Sequence, residues 1–295
     1  MIFDRFHRRK LFSYAMTVLT GLAVVVILIP LVSVIYQAAV LGGPLLSWAF
    51  LTQNPPLPCT PHAGVTCPTG GIWPGIQGTF ILVGIASLIG VPVGLGAAIF
   101  AVESGRVPLF ARLISTTADI MAGVPSILIG IFIFTIFLEY DSAIVFSATT
   151  VTVALGILMI PIVTRGAEEA LRTVPNSVRE AALALGIARW KISTRIVLVS
   201  ALPGVATAIL LSVARAAGES AILLILAGGT YRPFTNLKSP ILGLPLLIFN
   251  FADAPYANWV ALAWGAALFL IILILGISLI SRFVLDRLAR RMRGG

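Results

Sequence analysis

Six apolar runs, each long enough to cross a bilayer as a helix, leave a chain like this few ways to fold. They fall near 11–40, 75–102, 113–138, 147–164, 196–227 and 259–281. Backbone in hydrocarbon must satisfy its own hydrogen bonds, so runs of this length imply helices packed on helices. With 59% of its 295 residues apolar and 11% charged, the chain carries more apolar surface than a soluble core of this size can use. The expected class is an all-α integral membrane protein with six transmembrane helices. It divides into a basic arm over 1–10, a first span over 11–40, a loop over 41–74, a core of five spans over 75–282 and a basic tail over 283–295. The first run is too long for the core of a secretory signal, and no small-residue cleavage site follows it.

Charge placement predicts the orientation. No Lys or Arg occurs in 41–74 or 139–146, and the loop over 229–256 holds only Arg232 and Lys238. The opposite ends of the runs hold seventeen basic residues, six of them between 165 and 195. By the positive-inside rule both termini and the 165–195 region are expected in the cytoplasm. The net charge of +9 therefore sits at span ends and not on a solvated stripe, which argues against a nucleic-acid surface.

The long polar interruption over 175–203 reads PNSVREAALALGIARWKISTRIVLVSALP. Pro175 stops the preceding helix, and Asn176 or Ser177 can cap a new one. Ser177 and Glu180 have the spacing of a capping box, which by itself is sufficient reason for a Glu at 180. Ala181, Ala182 and Ala184 make a slim, strongly helical surface. Gly186 suits a left-handed cap that ends the helix. A short amphipathic piece follows over 187–195 with Arg189, Trp190, Lys191 and Arg195, giving a helix-turn-helix platform between spans.

Several polar residues fall within or beside the apolar runs. Arg215 and Glu219 stand at i, i+4 in the fifth run, where they can pair on one helix face. Such a pair either locks packing or is a latch, with Arg215 resting on Glu219 and swinging onto an anion when a pathway opens. Arg suits a tetrahedral oxyanion because its planar fork donates two parallel hydrogen bonds. Asp119 in the third run reads as a structural group that is paired or near water. Arg165, at the end of the fourth run, taken alone is a topology anchor. AGVPS over 122–126 is either a tolerated Gly-Pro break or a bend that lines a pathway. Cys59 and Cys67 form a disulfide or remain two thiols; His62 between them is weak evidence for a metal, and none is expected. The chain has no G-x4-G-K-[ST], so it has no P-loop of its own, and no His or Cys pair within the runs suggests an enzyme.

Glu180-Ala181-Ala182, Gly186 after three residues, and Ile196-x-Leu198 after nine more resemble the EAA loop of ABC-importer permeases. That pattern usually ends in proline; here Val199 takes the place and Pro203 follows four residues later. GGIWPGIQGT over 70–79, AGVPS, MIPIVTRGAEEALRTVPNSVREAALALG over 159–186 and ARAAGES over 214–220 are similar to the phosphate-importer permeases of this class, across 70–228. Gly218-Glu219-Ser220-Ala221-Ile222 stands where those proteins read G-E-T-A-P. The resemblance implies a type I importer fold in the plasma membrane, with Glu180, Ala181, Ala182 and Gly186 on a coupling helix that fits a cytoplasmic ATPase. It also implies a role in phosphate passage for Arg165 and Arg215, and Glu219 and Ser220 are assigned to the same path. The implied partners are a sister permease, an ATPase dimer holding ATP and Mg, and an extracytoplasmic phosphate-binding protein, with no cofactor in this chain. A permease for another oxyanion, sulfate or molybdate, is the alternative.

Overall fold

The computed structural model describes residues 2–59, 67–68, 70–103 and 107–293. Among them four helices are long and apolar enough to cross a membrane, or six elements if each of two bent pairs counts as one span. The first helix, α1 (Ile2–Gln37), runs into a π-helical turn over Ala38–Gly42. Residues 9–37 of α1 are exposed along their length. Its far end is anchored because Gly42 has no side chain, and a Cβ there would stand 2.5 Å from the Trp264 carbonyl oxygen. After α2 (Trp48–Thr52), capped by Ser47, the chain reaches the Cys59–Cys67 disulfide. His62 lies outside the described residues. Asn258 and Trp259 pin this loop: Asn258 Oδ1 accepts from the Cys59 N–H (3.2 Å), and Trp259 Nε1 donates to the Pro56 carbonyl (3.0 Å).

The core is built around α6 (Ala148–Arg172), which packs against α3 (Trp73–Glu103), α4 (Pro108–Ala122), α5 (Ser126–Tyr140) and α10 (Leu202–Ala217). Lipid tails are as apolar as Leu, so helices embedded in them associate through close packing rather than exclusion from water. The α3 face against α6 is accordingly small: Ala86, Gly90, Gly94 and Ala98, spaced by four and all buried. A Cβ on Gly90 would sit 2.8 Å from Met159 Cβ. On the other flank, Gly166 faces Ala208 and Gly204 faces Ala170, which fixes α10 antiparallel to α6.

Two of the six apolar runs are not continuous spans. The run over 113–138 breaks between α4 and α5, which meet at 102°. Pro125 disfavours a helical residue before it and has no N–H to continue the ladder. The run over 196–227 breaks twice. The helical stretch Arg189–Ser200 meets α10 at 76° around Ala201, where Pro203 starts the new helix in place of a proline at 199. It breaks again after Ala217, and α11 (Ala221–Leu226) follows. The fourth run ends later than the hydropathy suggests, since α6 continues to Arg172. Beyond α11 the chain crosses Gly228 and Gly229, both at positive φ (70° and 57°), to α12 (Leu244–Ala252) and α13 (Ala257–Arg293).

Candidate functional site

Polar groups concentrate in three places: the platform after α6, a charge cluster on α6, and the second break in the fifth run. The platform helix α7 spans Asn176–Ala184. Its N-cap is Pro175, with no side-chain cap hydrogen bond, so the expected Ser177–Glu180 capping box does not form. The helix begins two residues too early for it: Ser177 already lies in the first turn, while a cap must sit outside the helix. Glu180 and Ala181 are exposed, and Ala182 is buried against the bundle. Gly186 does close the helix at φ 73°, with its N–H on the Leu183 carbonyl (2.9 Å) and the Ile187 N–H on that of Ala182 (3.2 Å). That is the paired bonding of a Schellman end. Leu185 (80% exposed) and Trp190 (61%) leave apolar surface uncovered on this platform.

The α6 cluster centres on a residue that the sequence reading passed over, Glu168. Its side chain is only 2% exposed. Oε1 accepts from Ser115 Oγ (2.9 Å) and from Arg172 Nη2 (2.8 Å) and Nε (3.2 Å), and Oε2 from Arg165 Nη1 (2.9 Å). Arg165 is thus no bare anchor. Its Nε also contacts Asp119 Oδ1 at 2.6 Å, so Asp119 is paired, and at 55% exposure it is also open to the outside. The signal was available: Arg165, Glu168 and Arg172 stand at i, i+3 and i+7, one stripe of a helix.

Arg215 and Glu219 do not pair. The i, i+4 geometry requires an unbroken helix, and α10 ends at Ala217 with Gly218 as its C-cap. Glu219 instead bridges both breaks: its Oε1 accepts from Ser126 Oγ (3.0 Å), at the start of α5, and from the Ala221 N–H (3.1 Å), at the start of α11. The two half-helices pack together beyond this link, with Gly130 facing Ile222 and Ile225. Arg215 is exposed and has no ion pair among the described residues. Ser220 is exposed on a groove shared with Gly218, Pro245, Ile248 and Asp253. The register of α6 on α10 sets Arg165 level with Ile209, six residues before Arg215, an axial offset of about 9 Å. The arrangement is a neutralised arginine on α6 and, on the neighbouring α10, an exposed one with no ion pair among the described residues, beside two interrupted spans.

Residues 90–294 match the family of binding-protein-dependent transport system inner membrane components. The chain is 34% identical over 278 residues to the phosphate transport system permease protein PstA of Haemophilus influenzae, covering 94% of this chain and 95% of that one. It is 39% identical over 227 residues to PstA 1 of Mycobacterium tuberculosis, covering 76% and 72%. Among solved structures, a bacterial alginate ABC transporter chain superimposes with a TM-score of 0.67 at 15% identity over 96% of both chains. The MetNI methionine ABC transporter, in an inward-facing form, gives 0.57 at 22% identity over 75% of this chain and 93% of that one. These two likenesses give the fold of an ABC-transporter permease. By the family match and the identity to its relatives along nearly the whole length, the chain belongs to the binding-protein-dependent transport inner membrane components, alongside the PstA permeases.

Proposed function

We propose that this chain is a permease subunit of an ATP-driven phosphate importer and forms half of the phosphate path. The observation that carries the reading is an arginine on each of two packed helices, Arg165 on α6 and Arg215 on α10, in a chain that aligns nearly end to end with a phosphate transport system permease. Each guanidinium offers a bidentate site to a tetrahedral anion. At Arg165 a competing carboxylate weakens the hold on the anion and so favours its release. The counter-charge that permits release is Asp119, not Glu219. Asp119 touches Arg165 from α4, is half open to the outside, and can be displaced; Glu168 is buried among three donors and stays. The expected latch therefore belongs to Arg165.

The exposed face of α7, with Glu180, Ala181 and the Gly186 turn, is the dock for a separate ATPase, and ATP with Mg is bound there and not in this chain. The sister permease supplies the other half of the path, and an extracytoplasmic binding protein delivers the anion. The positive-inside count supports a cytoplasmic side for α7 and both termini and an outer side of the inner membrane for the Cys59–Cys67 loop. Movement of the ATPase pulls α7 and so rocks the α3–α6 core between inward- and outward-open states.

The test is co-purification of the chain with its ATPase, sister permease and binding protein, then ATP hydrolysis in proteoliposomes with phosphate, sulfate or molybdate. Stimulation by phosphate alone is the expected result. Stimulation by another oxyanion instead would move the substrate, and phosphate uptake by the isolated chain would remove the ATPase from the mechanism.

A further inference from the structure

A half-buried ion pair joins the platform to the bundle. Arg179, in α7, directs Nε to Glu103 Oε1 (3.0 Å), Nη2 to the Leu171 carbonyl (3.0 Å) and Nη1 to the Val174 carbonyl (2.6 Å). Leu171 lies in the last turn of α6, and its carbonyl also accepts from the Val174 N–H (3.3 Å), so the guanidinium adds a further bond at that helix end while holding α3. Glu103 ends α3, and its other oxygen, Oε2, accepts from Ser193 Oγ (3.2 Å), in the π-helical stretch after α8 (Arg189–Lys191). The Arg179 and Glu103 side chains are 17% and 16% exposed, far less than the other cations of the platform. The two halves of the platform therefore converge on one carboxylate at the tip of α3.

We infer that Arg179 and Glu103 form a clasp that makes α7 a rigid extension of α3 and α6, and that coupling of ATP hydrolysis to transport depends on it. The inference rests on the reading of α7 as the ATPase dock. Arg179 and Glu103 are positioning residues: they touch neither the anion nor nucleotide. Without them α7 remains a helix, since Pro175 starts it and Gly186 ends it independently, and Ala182 still rests on the bundle. What is lost is stiffness. Force on α7 then tilts the platform without moving the spans.

The test uses the full complex in proteoliposomes. The Glu103→Cys, Arg179→Cys double variant is measured before and after bridging with a reducible bifunctional thiol reagent, with each single variant as a control. Before bridging, the expected result is normal retention of the ATPase subunit, continued ATP hydrolysis, and phosphate uptake per ATP reduced about tenfold, the size of one charge-assisted hydrogen bond. Bridging should restore coupling, and reduction should remove it again in the double variant alone. Arg179→Lys, which keeps the charge but not the fork, should fall between. Full coupling in the unbridged variant overturns the inference, as does a defect that bridging leaves unchanged. Loss of the ATPase subunit from the complex assigns the pair a purely structural role and overturns it too. A wild-type complex lacking phosphate-dependent ATP hydrolysis refutes the docking reading itself, and the clasp falls with it.

Discussion

Replacing Asp119 by Asn removes one of two carboxylates from Arg165 and leaves the other, and the structure sets very different values on the two. Asp119 contacts Arg165 at 2.6 Å, but the side chains are 55% and 34% exposed. Exposed pairs of this kind are worth about 1 kcal/mol or less after screening and side-chain ordering. Glu168 is 2% exposed and accepts from Ser115, Arg165 and Arg172. Removing the carboxylate of a buried pair typically costs about 3–5 kcal/mol, and because Arg172 is 61% exposed and can rehydrate, we take about 3 kcal/mol. Glu168→Gln should therefore lower the thermal midpoint of the purified chain by about 6–12 °C, whereas Asp119→Asn should shift it by no more than about 4 °C. In transport the order reverses. With its competitor gone, Arg165 should bind phosphate up to about fivefold more tightly, the equivalent of about 1 kcal/mol. Turnover should fall because nothing reclaims the guanidinium when the anion leaves. The assay is phosphate uptake by reconstituted complex over a range of substrate, read as KM and maximal rate, beside tryptophan fluorescence melts. An unchanged or raised KM with normal maximal rate in Asp119→Asn would refute the latch. Equal destabilisation by the two substitutions would refute the distinction between them.

Three further outcomes are expected. Arg215→Gln should abolish phosphate uptake while leaving the complex assembled, as judged by co-purification and uptake; normal uptake takes Arg215 out of the path. Gly186→Asp puts a side chain on a residue at φ 73°, a cost of about 1–2 kcal/mol, and distorts the end of α7; pull-down should show the ATPase subunit detached. Thiol labelling of the folded protein should find Cys59 and Cys67 unreactive until a reductant is added, since they are bonded to each other.

The platform's turn was readable from sequence because it depends on local rules. An Ala-rich helix followed by Gly186 meets the left-handed cap on its own. The misreadings at Ser177–Glu180 and at Arg215–Glu219 share a cause: each assumed where a helix starts or stops, and side-chain spacing means nothing until that is fixed. Pro175 starts α7 two residues early, and Gly218 ends α10 between the two supposed partners. Hydropathy also hid the breaks, because a bend of 102° changes no residue's polarity. Conversely it hid a piece of helix. GAEEALR after Arg165 is polar enough to read as loop, yet it continues α6 because Glu168 finds Arg165, Arg172 and Ser115 around it. The disulfide stayed open at the sequence level, since spacing alone does not bring two Cβ atoms within bonding reach. Glu103 and Arg179, 76 residues apart, meet only through the fold.

The clearest test of how charge is distributed here is Glu219. A break in a span exposes backbone N–H groups that lipid cannot satisfy. Glu219 Oε1 accepts the Ala221 N–H and the Ser126 hydroxyl, which ties the break before α11 to the start of α5. Both donors need an oxygen, and neither needs a negative charge. Glu219→Gln keeps an accepting oxygen at that place and should retain stability and most transport. Glu219→Ala leaves the Ala221 N–H and the serine unpaired, at about 1–3 kcal/mol where water is excluded, and should weaken the α5–α11 contact. If Glu219 were instead a counter-ion of Arg215, the Gln and Ala variants would fail alike in uptake while Ala cost little stability. The ratio of the two variants thus separates a cap from a latch. It also tests the role of Arg215: if Gln functions, Glu219 is not the group that neutralises that guanidinium.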